Sequence, residues 1–216
     1  MSQYRTIFFL LIFSQLFFSC STTKGLKEHS SYSEILIKNS SILNDEYESL
    51  LFKARIKIYK NDYTGLFLIK KIASDTSTHI VFLSEIGLNM LDLKYKNDEF
   101  ELVSVKDFLN KPRLIKTIQN DFRMLVQDLD VIDYYTIKKS KSEASSVLKF
   151  KHKSQRYSYF YGPNSDLYEI WRKSGLFKTV ATMGGEGKML IEFSHRGIKL
   201  DINLEELERL NDYADN

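Results

Sequence analysis

The sequence predicts a mainly β protein, an incomplete antiparallel barrel of about eleven short strands with one covering amphipathic helix. Three observations lead to this prediction. Segments with an apolar residue at every second position recur along the chain, polar turns separate them, and a single segment changes to helical spacing. The 15 phenylalanines and 13 tyrosines favour strands, whereas prolines number only two. A sheet of this many strands is expected to curl, because strands twist.

The clearest strand is residues 52–60, where apolar and basic residues alternate with the period of a half-solvated antiparallel strand. Asn61 and Asp62 then supply turn chemistry. Four more strands are expected at 63–72, 78–86, 88–95 and 99–105, with short links that indicate a meander. The apolar face of the first strand comprises Phe52, Ala54, Ile56 and Ile58, and its basic face comprises Lys53, Arg55 and Lys57.

Helical spacing follows the fifth strand, over residues 112–129. Pro112 suits a first helical turn, where its missing N–H costs little, and Asn110 is the expected cap. Because the apolar residues form one wide stripe, we expect this helix to lie on the apolar face of the sheet. The stripe comprises Leu114, Ile115, Ile118, Phe122, Leu125, Val126 and Leu129.

The second half of the chain returns to strand patterns separated by turns. The polar segment 137–146 is interpreted as a loop, residues 33–51 as partly helical, and residues 204–212 as a possible short terminal helix. The expected strands are 147–152, 155–161, 167–173, 176–183, 188–195 and 197–204.

The first 20 residues, MSQYRTIFFLLIFSQLFFSC, predict export followed by lipid attachment. One charge, Arg5, precedes an apolar block of about a dozen residues, which is shorter than a membrane-spanning helix requires. The block ends at Cys20, the only cysteine, and resembles the lipobox of bacterial lipoproteins, with Leu16 upstream and Ser19 before the cut. The alternative is an ordinary cleaved signal with an incidental cysteine. We expect a signal peptide at 1–19, a lipidated N-terminus and tether at 20–31, and one domain at 32–216.

Composition narrows the class of protein further. The net charge of +3 is spread evenly, so nucleic acid is not an expected partner. No cysteine follows Cys20, so the domain is expected to remain folded in an oxidising compartment without disulfides. Lysines rather than acids follow Cys20, which favours the periplasmic face. We therefore expect a protein attached to the outer membrane through its lipidated end.

The plan of strands and helix is similar to that of the periplasmic carrier and the outer-membrane acceptor of the Lol lipoprotein-localisation pathway. In that fold about eleven strands wrap an apolar cavity. Residues 52–126 also resemble uncharacterised lipoproteins of Bacteroidota-type bacteria, through FKARIKIYKNDYTGLFLIKK, IVFLSEIGLNMLDLKY and DFLNKPRLIKTIQNDFRMLV. These motifs are structural, so the resemblance implies a fold and a carrier-like role and assigns no site residue.

Catalytic motifs are largely missing from the sequence, so we expect neither an enzyme nor a cofactor or metal. The histidines lack metal-ligand spacing, and the glycine-rich segment 183–187 leads into a strand, which favours a hairpin turn over a phosphate loop. The acidic run 128–133 lacks the glycine and terminal glutamate of a calcium loop. The aromatic run 157–161 could stack sugars or headgroups, although strand preference explains it equally well. The histidines are His29, His79, His152 and His195, and the acidic run contains Asp128, Asp130 and Asp133.

The apolar face suggests binding instead. If a gap remains under the helix, its lining suits an acyl chain; if side chains fill the space, the same residues are plain core, which is the interpretation we favour for most of them. The leading hypothesis is binding or transfer of a lipid or lipidated protein. The alternative is a structural or scaffolding lipoprotein that uses a sheet edge or the basic face to hold an envelope complex. The candidate cavity residues are Phe52, Ile56, Leu66, Leu68, Ile80, Phe82, Leu91, Leu93, Ile118, Phe122, Ile191 and Phe193.

Overall fold

A computed structural model describes residues 26–28, 41–42, 48–127, 135–140, 145–164, 166–185 and 188–210. Within these ranges the chain forms thirteen strands and one helix, α1 (Pro112–Val126). The strands are β1 (Leu26–Glu28), β2 (Ser49–Ile58), β3 (Asn61–Ile72), β4 (Ser77–Ser84), β5 (Asn89–Lys96), β6 (Glu99–Val105), β7 (Tyr135–Ser140), β8 (Ser146–His152), β9 (Gln155–Tyr161), β10 (Leu167–Ser174), β11 (Phe177–Gly184), β12 (Leu190–Arg196) and β13 (Leu200–Leu210).

All these strands belong to one antiparallel sheet, in the order β1-β7-β8-β9-β10-β11-β12-β13-β2-β3-β4-β5-β6. The meanders β2–β6 and β7–β13 join where β13 pairs with β2, with Ile202 opposite Ile56. In the part of the chain that the structure describes, β1 and β6 are the edges and are not paired to each other. The predicted class, an incomplete antiparallel barrel with one covering helix, is confirmed.

The alternating apolar and basic residues of β2 lie on opposite faces of the sheet, as expected. Phe52, Ala54, Ile56 and Ile58 are at most 5% exposed, whereas Lys53, Arg55 and Lys57 point to solvent. The apolar side chains of this strand therefore line the inner face of the sheet, where they join the core formed with α1. The basic residues lie on the outer face.

The prediction that Leu66 and Leu68 face inward is wrong. Phe67 lies opposite Phe52 in the β2–β3 register, so Phe67 and its alternate neighbour Ile69 are fully buried inside. Leu66 and Leu68 occupy the outer face and are only partly buried. Because the segment is apolar on both faces, its sequence does not specify which face is inside; pairing with β2 decides it.

Two strands form where none was expected. The segment Tyr135–Ser140 overlaps the predicted loop at 137–146, and it pairs with β8. The segment Leu26–Glu28 lies within the expected tether and pairs with β7. Both segments are polar, but backbone pairing with a neighbouring strand makes them part of the sheet.

Two helical expectations also need correction. Residues 204–210, expected to be helical, continue β13 and pair with the start of β2, so sheet pairing outweighs their helix-forming composition. Residues 49–51, the end of the segment that was expected to be helical in part, belong to β2. The helix α1 begins after Lys111 as N-cap, with no capping hydrogen bond from a side chain, so Asn110 is not the cap. Residues 33–40, 43–47, 128–134 and 211–216 lie outside the described residues.

Candidate functional site

The space between α1 and the inner face of the sheet is filled at its centre by aromatic rings. Phe122 is fully buried, and its ring centroid lies 4.6 Å from that of Phe67 and 5.9 Å from that of Phe193. Phe67 also stacks on Phe82 at 5.5 Å. Apart from Leu66 and Leu68, the candidate cavity residues are at most 2% exposed: Phe52, Ile56, Ile80, Phe82, Leu91, Leu93, Ile118, Phe122, Ile191 and Phe193.

The C-terminal half of α1 is attached to the sheet by polar contacts. The hydroxyl of Tyr159 donates a hydrogen bond to the Met124 carbonyl at 2.8 Å and accepts one from Gln127 Nε2 at 2.6 Å. Burial raises the pKa of the Tyr159 hydroxyl, so it remains a neutral donor. The Ile42 amide donates to the Leu125 carbonyl at 3.0 Å, which brings the chain preceding β2 to the same end of the helix.

A second polar cluster lies in the tight turn between β5 and β6. Asp98 Oδ2 accepts hydrogen bonds from His152 Nε2 at 2.7 Å and pairs with Lys153 Nζ at 2.8 Å. Arg123 of α1 donates to the Asp98 backbone carbonyl at 2.8 Å and pairs with its carboxylate. We call Asp98, Arg123, His152 and Lys153 the Asp98 clasp.

The Asp98 clasp connects parts of the sheet that are distant in strand order. His152 is the last residue of β8 and Lys153 lies in the β8–β9 turn, and β10–β13 and β2–β4 lie between this hairpin and β5–β6. Although burial raises the pKa of the Asp98 carboxyl, hydrogen bonds from Lys153 and His152 and the charge of Arg123 leave that pKa lowered. The carboxylate is therefore ionised at neutral pH, and it holds the curled sheet and α1 together.

A cavity of about 230 Å³ opens beside the N-terminal half of α1. We call it the basic pocket. One wall is the helix face that carries residues 113, 116, 117 and 120, which helical spacing places side by side. None of its lining residues is an aspartate or a glutamate. The lining comprises Arg113, Lys116, Thr117, Asn120, Gln155, Arg172, Ser174, Phe177, Lys178, Thr179, His195, Arg196 and Ile198.

Asp121 is fully buried and contacts two residues that line this pocket. Its carboxylate contacts His195 Nε2 at 2.7 Å and Arg172 Nη2 at 3.3 Å. His195 Nδ1 lies 2.6 Å from the Leu200 carbonyl, which can only accept a hydrogen bond. Both ring nitrogens therefore face acceptors. Burial lowers the pKa of His195, but its contacts with Asp121 and Leu200 outweigh burial and raise that pKa, which favours the imidazolium form.

Two cationic side chains that line the pocket, Arg113 and Lys178, also contact aromatic rings. Lys178 is one of the lining residues, and its ammonium lies 3.5 Å from the centroid of the Trp171 ring. The Arg113 guanidinium lies 5.2 Å from the centroid of Phe177 and donates to the Gly197 carbonyl at 3.1 Å. Arg113 lines the pocket, and its hydrogen bond to Gly197 uses one of the five N–H donors of the guanidinium.

Three of the four histidines interact with a carboxylate, a role that scattered spacing did not indicate. His79 Nδ1 lies 3.3 Å from Asp92, in addition to the contacts of His152 and His195, while His29 lies outside the described residues. The sequence does contain one indication of the His195 site. Asp121 interrupts the apolar stripe of α1, and a charged residue on a buried helix face requires a partner.

Other sequence motifs have structural roles. Residues 183 and 184 end β11, which pairs with β12 as a hairpin, as expected, and Glu186 and Gly187 lie outside the described residues. Tyr157, Tyr159 and Tyr161 are buried on the inner face, so their rings are not open to a sugar. Phe160 contacts Trp171, with ring centroids 4.8 Å apart. Asp128, Asp130 and Asp133 are outside the described ranges.

Cys20 and the apolar segment before it also lie outside the described residues. Among the residues that are described, no group of three or more His, Cys, Asp and Glu side chains could hold a metal ion. The same part of the chain contains no helix with the length and apolar character needed to cross a bilayer. No protein-family model matches this sequence, and no curated protein shows significant similarity to it.

Proposed function

We propose that this chain is a lipid-anchored protein of the outer membrane, on its periplasmic face, that binds or transfers a lipid or lipidated protein. The ligand would lie on the inner face of the open sheet, with α1 as a lid. One observation carries this proposal. Within the described residues a single helix covers the apolar inner face, and the edges of the sheet there, β1 and β6, are not paired with each other.

The proposed opening would separate side chains rather than strands. Moving α1 breaks the contact of Arg123 with Asp98 and the contacts of Asp121, but it leaves every backbone ladder of the sheet intact. An acyl chain of about 15 methylenes would gain roughly 12 kcal/mol on leaving water. That gain would offset the apolar contacts that α1 loses, among them the stack of Phe122 on Phe67.

The filled centre supports a second candidate function. Phe67, Phe122 and Phe193 already occupy the space that an acyl chain would need. A rigid half-barrel with Lys53 and Lys57 exposed on its outer face would suit a scaffold in an envelope complex. On this alternative, α1 remains in place and the protein acts through its surface.

Native mass spectrometry of the full-length protein, purified from cells in a mild detergent, distinguishes the two functions. Copurifying lipid, displaced by added fluorescent fatty acid, supports the carrier. Asp98→Asn should speed this displacement because it loosens the lid, whereas Asp62→Asn should not, because Asp62 pairs with the exposed Arg55. A lipid-free mass, under conditions that preserve known lipid complexes, contradicts the carrier and supports the scaffold.

A further inference from the structure

The basic pocket concentrates positive charge that the carboxylates of the described residues neutralise only in part. Arg113 and Lys116 extend from the exposed face of α1, while Arg172 and His195 lie below them on β10 and β12. Among the described residues, Asp121 is the carboxylate that contacts this group, through Arg172 and His195. Arg113 and Lys116 make no contact with a carboxylate among the described residues. A pocket with this excess of positive over negative charge attracts anions.

Arg172 has donor capacity at the base of the pocket. The residue is 6% exposed, and its Nη2 donates to Thr179 Oγ1 at 2.6 Å. Its contacts with Gln155 and Asp121 are both long, at 3.3 Å, and its buried Nε has no hydrogen-bond partner among the described residues. A guanidinium with weakly used donors is well suited to an oxyanion, because its planar fork can bind two oxygens at once.

His195 contributes charge rather than a hydrogen bond to a ligand. Both of its ring nitrogens are engaged, with Asp121 Oδ2 at 2.7 Å and with the Leu200 carbonyl at 2.6 Å. The imidazolium is thus fixed in place, and its positive charge acts on the pocket through space. Direct contacts to a ligand would come from Arg172 below and from Lys116 and Arg113 above.

From this arrangement we infer that the basic pocket binds a phosphate group, carried by a phosphomonoester or by a lipid headgroup. The volume of about 230 Å³ is small for a drug-sized ligand and suits a compact headgroup. Phe177 and Ile198 form an apolar part of the lining, where the remainder of such a ligand would lie. This inference does not depend on the lid function, because the pocket is open while α1 is in place.

Calorimetric titration of the full-length protein in a non-ionic detergent tests the inference with two probes. The first is inorganic phosphate, and the second is short-chain phosphatidic acid, with phosphatidylcholine as the neutral comparison. We expect Lys116→Gln to weaken phosphate-group binding about tenfold, because one charge-assisted contact is lost. The control Lys111→Gln removes the same charge from the same end of α1 but outside the pocket, and should leave binding unchanged.

Each outcome has a defined meaning. Binding of both probes with similar affinity supports a soluble phosphomonoester, whereas much tighter binding of phosphatidic acid supports a lipid headgroup. Equal effects of Lys116→Gln and Lys111→Gln would show attraction to overall charge and would overturn the site. Absence of binding by either probe would also overturn it. Urea unfolding of both variants checks that they are folded, and native mass spectrometry tests the lid function separately.

Discussion

Asp98 accepts a hydrogen bond from His152, with 2.7 Å between Oδ2 and Nε2, and so joins the β5–β6 turn to the end of β8, which is distant in strand order. The same carboxylate pairs with Arg123 of α1, whose guanidinium lies 5.5 Å from the centroid of Tyr95 and 5.3 Å from that of Phe100. One residue in a tight turn thus connects both hairpins and the helix. Side chains provide this connection across the open barrel.

Asp98→Asn should destabilise the protein by about 2 kcal/mol in urea unfolding. Asparagine tolerates the φ of 60° at this position, so the substitution does not strain the backbone. It removes only the negative charge of the side chain. Arg123 is only 5% exposed and would remain as a buried cation. The expected cost is below that of a fully buried pair, since 16% of the Asp98 side chain is exposed. The control Asp62→Asn breaks an exposed pair with Arg55 and should not measurably shift the urea midpoint.

The stabilisation due to Asp98 should disappear in acid. Because the pKa of Asp98 is lowered in the fold, its contribution is present above the ordinary aspartate pKa of about 3.9 and is lost as pH falls through the lowered value. The difference in unfolding free energy between the wild type and Asp98→Asn should therefore shrink below about pH 4. A difference that stays constant down to pH 2 would show that the carboxylate charge is not responsible.

His195 should give the opposite dependence on pH. Its pKa is raised in the fold, so its stabilising contribution is complete below the ordinary histidine pKa of about 6.5 and is lost as pH rises through the folded value. The groups that face it are Asp121, Arg172 and the Leu200 carbonyl. Urea unfolding should show a larger cost of His195→Gln at pH 6 than at pH 9. Equal costs at both values would argue against an ion pair with Asp121.

Gly65→Ala should destabilise the protein by about 2 to 3 kcal/mol through overpacking. A Cβ at Gly65 would lie 2.0 Å from the Leu83 carbonyl oxygen and 3.0 Å from the Phe82 ring, so β3 and β4 would have to separate. Gly162→Ala is the matched control, because the nearest atom outside its chain neighbours is the Asp166 carbonyl oxygen at 3.9 Å. Thermal or urea unfolding that gives the two variants equal stability would contradict the close approach.

Cys20→Ser should move the protein from the membrane fraction to the soluble fraction of lysed cells. The thiol is the expected site of lipid attachment, and serine cannot form the thioether. Ser21→Ala, a neighbouring substitution that keeps the cysteine, should leave the protein in the membrane fraction. Immunoblotting of separated inner and outer membranes measures both variants. Unchanged membrane association of Cys20→Ser would remove the anchor from the proposed function.

The sequence by itself determined the class of fold and most of its elements. The eleven predicted strands correspond to β2–β6 and β8–β13, and the predicted helix is α1, because alternation and helical spacing are local properties of the chain. Phe52, Ile56 and Phe122 could be placed in the core for the same reason. Leu66 and Leu68 could not, since both faces of β3 are apolar and only the register with β2 selects one.

Only the tertiary structure brings the residues of the candidate site together. Asp98 and His152 are 54 positions apart, and Asp121 and His195 are 74 apart, so nothing local in the sequence pairs them. The basic pocket likewise draws its cations from α1, β10 and β12, which meet only because the sheet curls around the helix. Periodicity predicts which face of an element is buried, but the neighbours of a charged side chain depend on how distant elements pack together.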